Sequence, residues 1–180
     1  NCCSFIQSIY HGFGSKVTPP EVGFAIQNRG ALFSLDENHL NRLDPHKRPF
    51  HTIIPAMVTK DDQPFFSFGV MGGDMQPQGH VQILVNLLDF GMNVQQAGDL
   101  ARIRHLGSST PRGVSGDGRG IVEVESGIPD SIVEDLESRG HKVRRSVGGF
   151  GGYQGILIDH KNGVLHGATE PRKDGATVGY

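Results

Sequence analysis

The chain has 180 residues, 36% of them hydrophobic, which suffices for one domain of ordinary size with a buried core. Its net charge of −2 arises from interspersed acids and bases, and no Lys/Arg run is present to neutralise phosphates, so nucleic acid and anionic membranes are poor candidates as partners. No apolar stretch reaches the roughly 18 residues of a membrane helix, and no basic-then-apolar signal opens the chain, although a longer precursor can lose one by cleavage.

In chain order, Ser4–Tyr10 alternates polar and apolar residues as a strand does, up to a break at Gly12-Phe13-Gly14. Gly23–Asn28 is a second strand candidate, and the polar stretch Ser34–Lys47 reads as a loop. A hairpin follows: Thr52–Thr59, the turn Lys60-Asp61-Asp62-Gln63, and Pro64–Val70, with Pro55 predicting an irregular or bulged first arm. After Gly72-Gly73 the period changes to helical. Val81, Leu84, Val85, Leu87 and Leu88 form an apolar face that Gly91 terminates. Asn93 caps a short helix to about Ala101, and Pro129, the set Ile132, Val133 and Leu136, and Gly140 mark a third. Strands flank that helix at Ile121–Val124 and Lys142–Arg145, and Gln154–Ile158 with Val164–Ala168 closes as a hairpin. No repeat or linker divides the chain, so residues 1–180 read as a single α+β domain, a layered sandwich rather than a doubly wound parallel sheet.

Chemistry-bearing signals are sparse. Cys2 and Cys3 are sequence neighbours that rarely bridge, and they read as small hydrophobes buried in the first strand. The nine histidines include no i, i+4 pair, and no Cys-x-x-Cys occurs, so neither metal nor cofactor is expected. Gly12–Lys16 lacks Walker spacing, and Gly148–Gly152 precedes a strand rather than a helix, so neither is a phosphate cradle. Gly113-Val114-Ser115-Gly116 fails the Gly-x-Ser-x-Gly pattern of a nucleophile elbow. Glu134, Asp135 and Glu137 fall on the solvated side of their helix. One cluster remains. Val70-Met71-Gly72-Gly73-Asp74 joins a hydrophobic strand to a helix, where free N–H groups near the helix start can hold negative charge on a carbonyl oxygen. On these residues alone, a tight turn needing only glycine's backbone freedom is the favoured explanation.

The string SFIQSIYHGFG (Ser4–Gly14), then Lys47-Arg48-Pro49, Gly72-Gly73 and Asp89-Phe90-Gly91-Met92 run in order along the chain. With the ending Gly167–Ala176 and Gly179-Tyr180, they resemble the gamma-glutamyltransferase family. The resemblance implies a four-layer αββα sandwich of the N-terminal nucleophile hydrolase type. It implies a precursor that cuts itself and a new N-terminal threonine that attacks the gamma-amide of a glutamyl compound such as glutathione, its own α-amine serving as base. By this match the threonine strand lies ahead of Asn1, so this chain alone is expected to be inactive and incomplete in fold. The large subunit of the same precursor is its expected partner, with self-association of the fragment as the alternative.

Carried over position by position, the resemblance places Gly72 and Gly73 on the oxyanion-hole glycines and Ser8 on a hydroxyl that supports the nucleophile. Where the family binds the α-amino and α-carboxylate groups of its substrate, this chain departs: Tyr10 replaces an asparagine, Arg29 a glutamine, Leu32 an aspartate, and His51-Thr52 a serine pair. Leu32 removes a partner for a substrate ammonium, whereas Arg29 and a protonated His51 suit a carboxylate. Ser34–Lys47 is also shorter than the family's lid-bearing loop, which favours an open pocket. Two enzyme readings follow, gamma-glutamyl transfer or hydrolysis and a glutaryl-type amide acylase. A non-catalytic relative acting through partner binding is the third.

Overall fold

The structure is a computed structural model that describes residues 1–113 and 120–179. Val114, Ser115 and Gly116, which fail the elbow pattern, and the closing Tyr180 lie outside the described residues. Two compact units account for the chain: Asn1–Ile6, Ile54–Leu106 and Gly120–Tyr180 make the first, Gln7–Ile53 and Gly107–Arg119 the second.

Among the described residues, every regular strand and α-helix belongs to the first unit. The predicted hairpin forms as β1 (Ala56–Lys60) and β2 (Gln63–Met71), antiparallel, with Asp61 and Asp62 at φ 51° and 61° in the two-residue turn. Pro55 ends up outside the strand, and the register shift falls instead between Val58 and Thr59. β2 next pairs with β6 (Gly152–Asp159), and β6 with β7 (Val164–Thr169), which completes a four-stranded antiparallel sheet ordered β1-β2-β6-β7. A second, three-stranded sheet holds β3 (Ile103–Leu106) against β4 (Ile121–Val124), with β5 (Val143–Arg145) parallel to β4 across the crossover helix α3 (Asp130–Ser138).

The core follows from period-2 alternation in β2. Phe66, Phe68 and Val70 point to one face and are buried with Tyr153, Ala168, Ile83 and Val94. Burying each of the Phe, Val and Ile side chains among them contributes about 1.5–3 kcal/mol. Helix α1 (Met75–Leu88) covers this face so closely that a Cβ on Gly79 would lie 2.6 Å from Val70 Cγ1. Its buried stripe is Met75, Gln76, Gly79, His80, Ile83 and Asn86, while Val81 and Leu88 face outward. Of the apolar face expected from the sequence, Leu84 and Leu87 pack against the core at the edge of this stripe, while Val81 and Leu88 do not. His80 and Asn86 sit inside because each has a hydrogen bond there: His80 Nε2 accepts the Val70 N–H at 3.0 Å, and Asn86 Nδ2 donates to Ala97 O at 3.2 Å. Helix α2 (Val94–Asp99) starts at the predicted Asn93, whose side chain accepts from Gln95 and Gln96 in a capping box, and it ends two residues before the expected Ala101. On α3, Glu134, Asp135 and Glu137 are exposed, as expected.

Two predicted strands do not form. In Ser4–Tyr10, the Ser4 hydroxyl rather than a backbone ladder bridges to the sheet, donating to Phe68 O and accepting from Ala56 N, and Tyr10 adopts φ 77°. That left-handed conformation is incompatible with a strand. Cys2 and Cys3 are consequently exposed free thiols rather than buried strand residues. Gly23–Asn28 makes scattered bonds rather than a ladder, Ile26 N to Val17 O, Ser15 N to Ile26 O and Asn28 N to Ile9 O, before the chain turns into one 3₁₀ turn at Arg29–Leu32. Ser34–Lys47 is the turn-rich loop expected, with one isolated bridge between Ser34 and Arg42.

Candidate active site

The strand-to-helix corner after β2 has the clearest chemical geometry. Gly72 and Gly73 have φ of 134° and 62°, values that side chains rarely tolerate. Their carbonyls turn into the first turn of α1: Gly72 O accepts the Met75 N–H at 3.2 Å, and Gly73 O accepts both the Gln76 N–H at 3.0 Å and Gln76 Nε2 at 3.2 Å. Among the described residues no acceptor takes the N–H of Gly72 or Gly73. Two adjacent donors at the positive end of a helix dipole are suited to an anionic oxygen. Asp74 occupies the N-cap without making a side-chain cap bond, and Gln76 Oε1 holds the Ile54 N–H at 3.0 Å.

The corner rests on glycine. A Cβ on Gly72 would come within 2.8 Å of Gly151 Cα, and a Cβ on Gly151 within 2.7 Å of Met71 O, so two backbones touch where no side chain fits. The glycine-rich stretch Gly148–Gly152 thus serves as a close-packed connection into β6. Phe150, within it, is fully buried. Its carbonyl accepts Arg102 Nη1 at 2.9 Å, while Arg102 Nη2 donates to Gly98 O at 2.9 Å and pairs with Glu170 at 2.8 Å. Glu170 in turn accepts the Tyr153 N–H at 2.8 Å and meets Arg172 at 2.8 Å, and Arg172 bridges to Glu125 at 2.6 Å. Burial pushes the Glu170 carboxyl up, but hydrogen bonds from Arg172 and Tyr153 outweigh it and hold the group below the usual range. Hydrogen bonds to Glu125 raise the Arg172 pKa, and burial raises that of the Tyr153 phenol, so the first stays charged and the second neutral.

In the second unit, Arg29 opens the 3₁₀ turn and is buried with Leu32. Its Nε donates to Thr52 Oγ1 at 2.7 Å and its Nη1 to Ser8 O at 3.1 Å, whereas Nη2 is buried without a hydrogen-bond partner. No carboxylate among the described residues lies within ion-pair distance of Arg29. The Ser8 hydroxyl accepts the Tyr10 N–H at 2.9 Å, and the Tyr10 ring stacks on His11 at 4.2 Å. Of the residues expected to bind substrate, the structure joins Arg29 and Thr52 directly, and it links Arg29 to Tyr10 through Ser8, the residue expected to support the nucleophile. His51 is exposed beside Thr52 in the chain and makes no hydrogen bond or ion pair among the described residues.

Arg102 and Glu170 escaped the sequence reading. Glu170-Pro171-Arg172 belongs to the ending that carries the family resemblance, yet nothing local links it to Arg102. Among the described residues no three His, Cys, Asp or Glu side chains gather as a metal site, and no helix is long and apolar enough to cross a membrane.

Comparison with known proteins places these features in context. The chain is 43% identical to the glutathione hydrolase-like YwrD proenzyme of Bacillus subtilis over 99% of its length, and 41% identical to the oxamate amidohydrolase proenzyme of Klebsiella pneumoniae over 98%. It spans 33% of each of those relatives. The crystal structure of a cephalosporin acylase from Bacillus halodurans superposes with a TM-score of 0.84 at 48% identity, covering 97% of this chain and 32% of that one. A gamma-glutamyltranspeptidase from Pseudomonas nitroreducens, in complex with L-DON, shares the fold at TM-score 0.82 and 21% identity, covering 100% of this chain and 94% of that one. The Gamma-glutamyltranspeptidase family model matches residues 1–180, and the chain belongs to that family.

Proposed function

We propose that this chain serves an amide hydrolase whose substrate carries a carboxylate on its acyl group, with Arg29 as the group that reads it. The observation that carries the reading is the buried Arg29 guanidinium, which has neutral partners on Nε and Nη1 and none on Nη2. A guanidinium fork is shaped for two parallel bonds to a carboxylate, so a substrate carboxylate supplies both the missing bond and the missing negative charge. Leu32, buried in the same turn, offers nothing to an α-ammonium. Amides of simple dicarboxylic acids, of the oxamate or glutaryl type, therefore fit better than gamma-glutamyl amides. Two of the relatives are named for such an activity or for acylase chemistry, which points the same way.

The reaction proceeds by acyl transfer to an N-terminal threonine supplied ahead of this chain in a self-cleaving precursor. The threonine oxygen adds to the amide carbonyl while the α-amine takes its proton, the oxyanion is held by the N–H groups of Gly72 and Gly73, and the amine leaves with that proton. Water then hydrolyses the acyl ester. The large subunit of the same precursor completes the four-layer sandwich. Tyr10, His51 and Thr52 shape the acyl subsite, and Ser8 supports the nucleophile.

The second reading, gamma-glutamyl transfer or hydrolysis, is favoured by the glutathione hydrolase names among the relatives. The complete coding sequence, expressed and allowed to process itself, separates the two when glutaryl and gamma-glutamyl anilides are assayed side by side. The first reading expects kcat/KM to be higher for the glutaryl anilide by about tenfold or more, because both acyl groups offer Arg29 a carboxylate but only the gamma-glutamyl group brings an α-ammonium that loses its water without gaining a partner. Faster gamma-glutamyl turnover establishes the second reading, and a precursor that neither cuts itself nor turns over either anilide leaves only a binding role.

A further inference from the structure

The interior ion pair of the first unit has a geometry that general stabilisation does not require. Arg102 and Glu170 are 1% and 2% exposed, and each reaches the backbone of the same short segment: Arg102 Nη1 donates to Phe150 O at 2.9 Å, and Glu170 Oε2 accepts the Tyr153 N–H at 2.8 Å. One ion pair at 2.8 Å thereby fixes both ends of Phe150–Tyr153. Between those ends lie Gly151, in backbone contact with Gly72 and Met71, and Gly152, paired with Met71 in the ladder. The anchor is secured further out by Arg172, which links Glu170 to Glu125, and by Arg104, whose Nη1 donates to Gly149 O at 2.8 Å.

From this arrangement we infer that Arg102 and Glu170 are positioning residues for the Gly72–Gly73 corner, acting through Phe150–Tyr153 and never touching substrate. The inference rests on the reading of the two glycines as oxyanion donors. A donor pair stabilises a developing oxyanion only while both N–H groups hold their aim, and a displacement that leaves substrate binding intact still lowers the rate. Here the aim is set from behind, by a backbone that glycine alone allows so close, and that backbone is held by charges the solvent cannot reach.

The test uses the complete self-processed enzyme, with kcat and KM on its better anilide and the affinity of a boronic acid analogue of the acyl group, whose tetrahedral adduct places an oxygen where the oxyanion forms. Arg102→Lys keeps a cation for Glu170 but cannot serve Phe150 O and Gly98 O as a fork does. The expected result is a fall of about tenfold or more in kcat and in boronate affinity, with KM within about twofold. Gly151→Ala leaves the ion pair untouched and presses a methyl on Met71 O, and it shows the same split, so a poor yield of the arginine variant does not protect the inference. An ordinary stabilising role lowers the melting temperature of both variants and leaves kcat and boronate affinity of the folded enzyme unchanged, which overturns it. Gly73→Ala separates this failure from that of the underlying reading. If that variant weakens the boronate while the other two do not, only the positioning role falls. If none of the three weakens it, the oxyanion reading falls as well.

Discussion

Arg29 and Arg102 are both taken out of water, and the two regions treat the buried charge in opposite ways. Arg102 has a counter-charge: Glu170 at 2.8 Å, with Arg172 and Glu125 continuing the alternation and two backbone carbonyls on its nitrogens. Its Nε alone lacks a partner. Arg29, 9% exposed, has a hydroxyl and a carbonyl but no acid, and its unpartnered nitrogen is on the terminal fork that grips carboxylates. Desolvating a cation without an anion costs several kcal/mol, so a fold retains such a group where something other than stability selects it. The comparison sets an arginine paired inside the scaffold against one that, in the function proposed above, meets its anion in the substrate.

Truncating both arginines is the most direct attempt to break it. Arg102→Met leaves Glu170 buried against an apolar chain and is expected to destabilise the processed enzyme by about 3–5 kcal/mol. Arg29→Met is expected to leave the melting temperature unchanged or raise it, while kcat/KM for a carboxylate-bearing anilide drops about 10–100-fold. Thermal melts and steady-state kinetics on the pair decide the matter. Equal losses of stability abolish the distinction. Acid sharpens it next. Glu170 ionises more readily folded than unfolded, so its contribution is present above about pH 4.5 and is lost as pH falls through the lower folded value. Acid unfolding should begin at this network, and Glu170→Gln should flatten stability against pH below about 4.5. Unchanged curvature in the variant would mean that other carboxylates govern acid unfolding.

The same contrast governs what the sequence could reveal. Both hairpins were legible, because alternating side chains and the Asp61-Asp62 and Asp159–Gly163 turns are local signals. Gly72-Gly73 was legible as a strand-to-helix corner for the same reason. β3 was missed, since Ile103–Leu106 is four residues with only two apolar ones. Ser4–Tyr10 had the alternation of a strand and Gly23–Asn28 its apolar run, but neither forms a ladder, and local pattern cannot report that. Arg29 entered through family resemblance alone, its contacts with Ser8 and Thr52 spanning 21 and 23 positions. Arg102 and Glu170 carry no local pattern at all. An ion pair closed by tertiary folding leaves no period in the sequence.

His80 offers a third case, a base that is buried because it has given up its charge. Its Nε2 accepts the Val70 N–H, and the ring lies 4.9 Å from that of Phe68, so the neutral form is the one that fits. Burial lowers its pKa from the ordinary value. In the unfolded chain His80 takes up a proton near pH 6.5, whereas the folded chain resists until the pH is lower. Between those two values the unfolded state binds more protons, so stability is full above about pH 6.5 and declines as the pH falls, by at most about 1.4 kcal/mol per pH unit. Protonated Nε2 also faces the Val70 N–H as donor against donor, two residues before Gly72. His80→Gln, whose amide oxygen accepts that N–H without titrating, should remove the decline between about pH 6.5 and 5 in urea unfolding. If wild type and variant fall together across this range, His80 does not set the pH response, and the decline belongs to other groups.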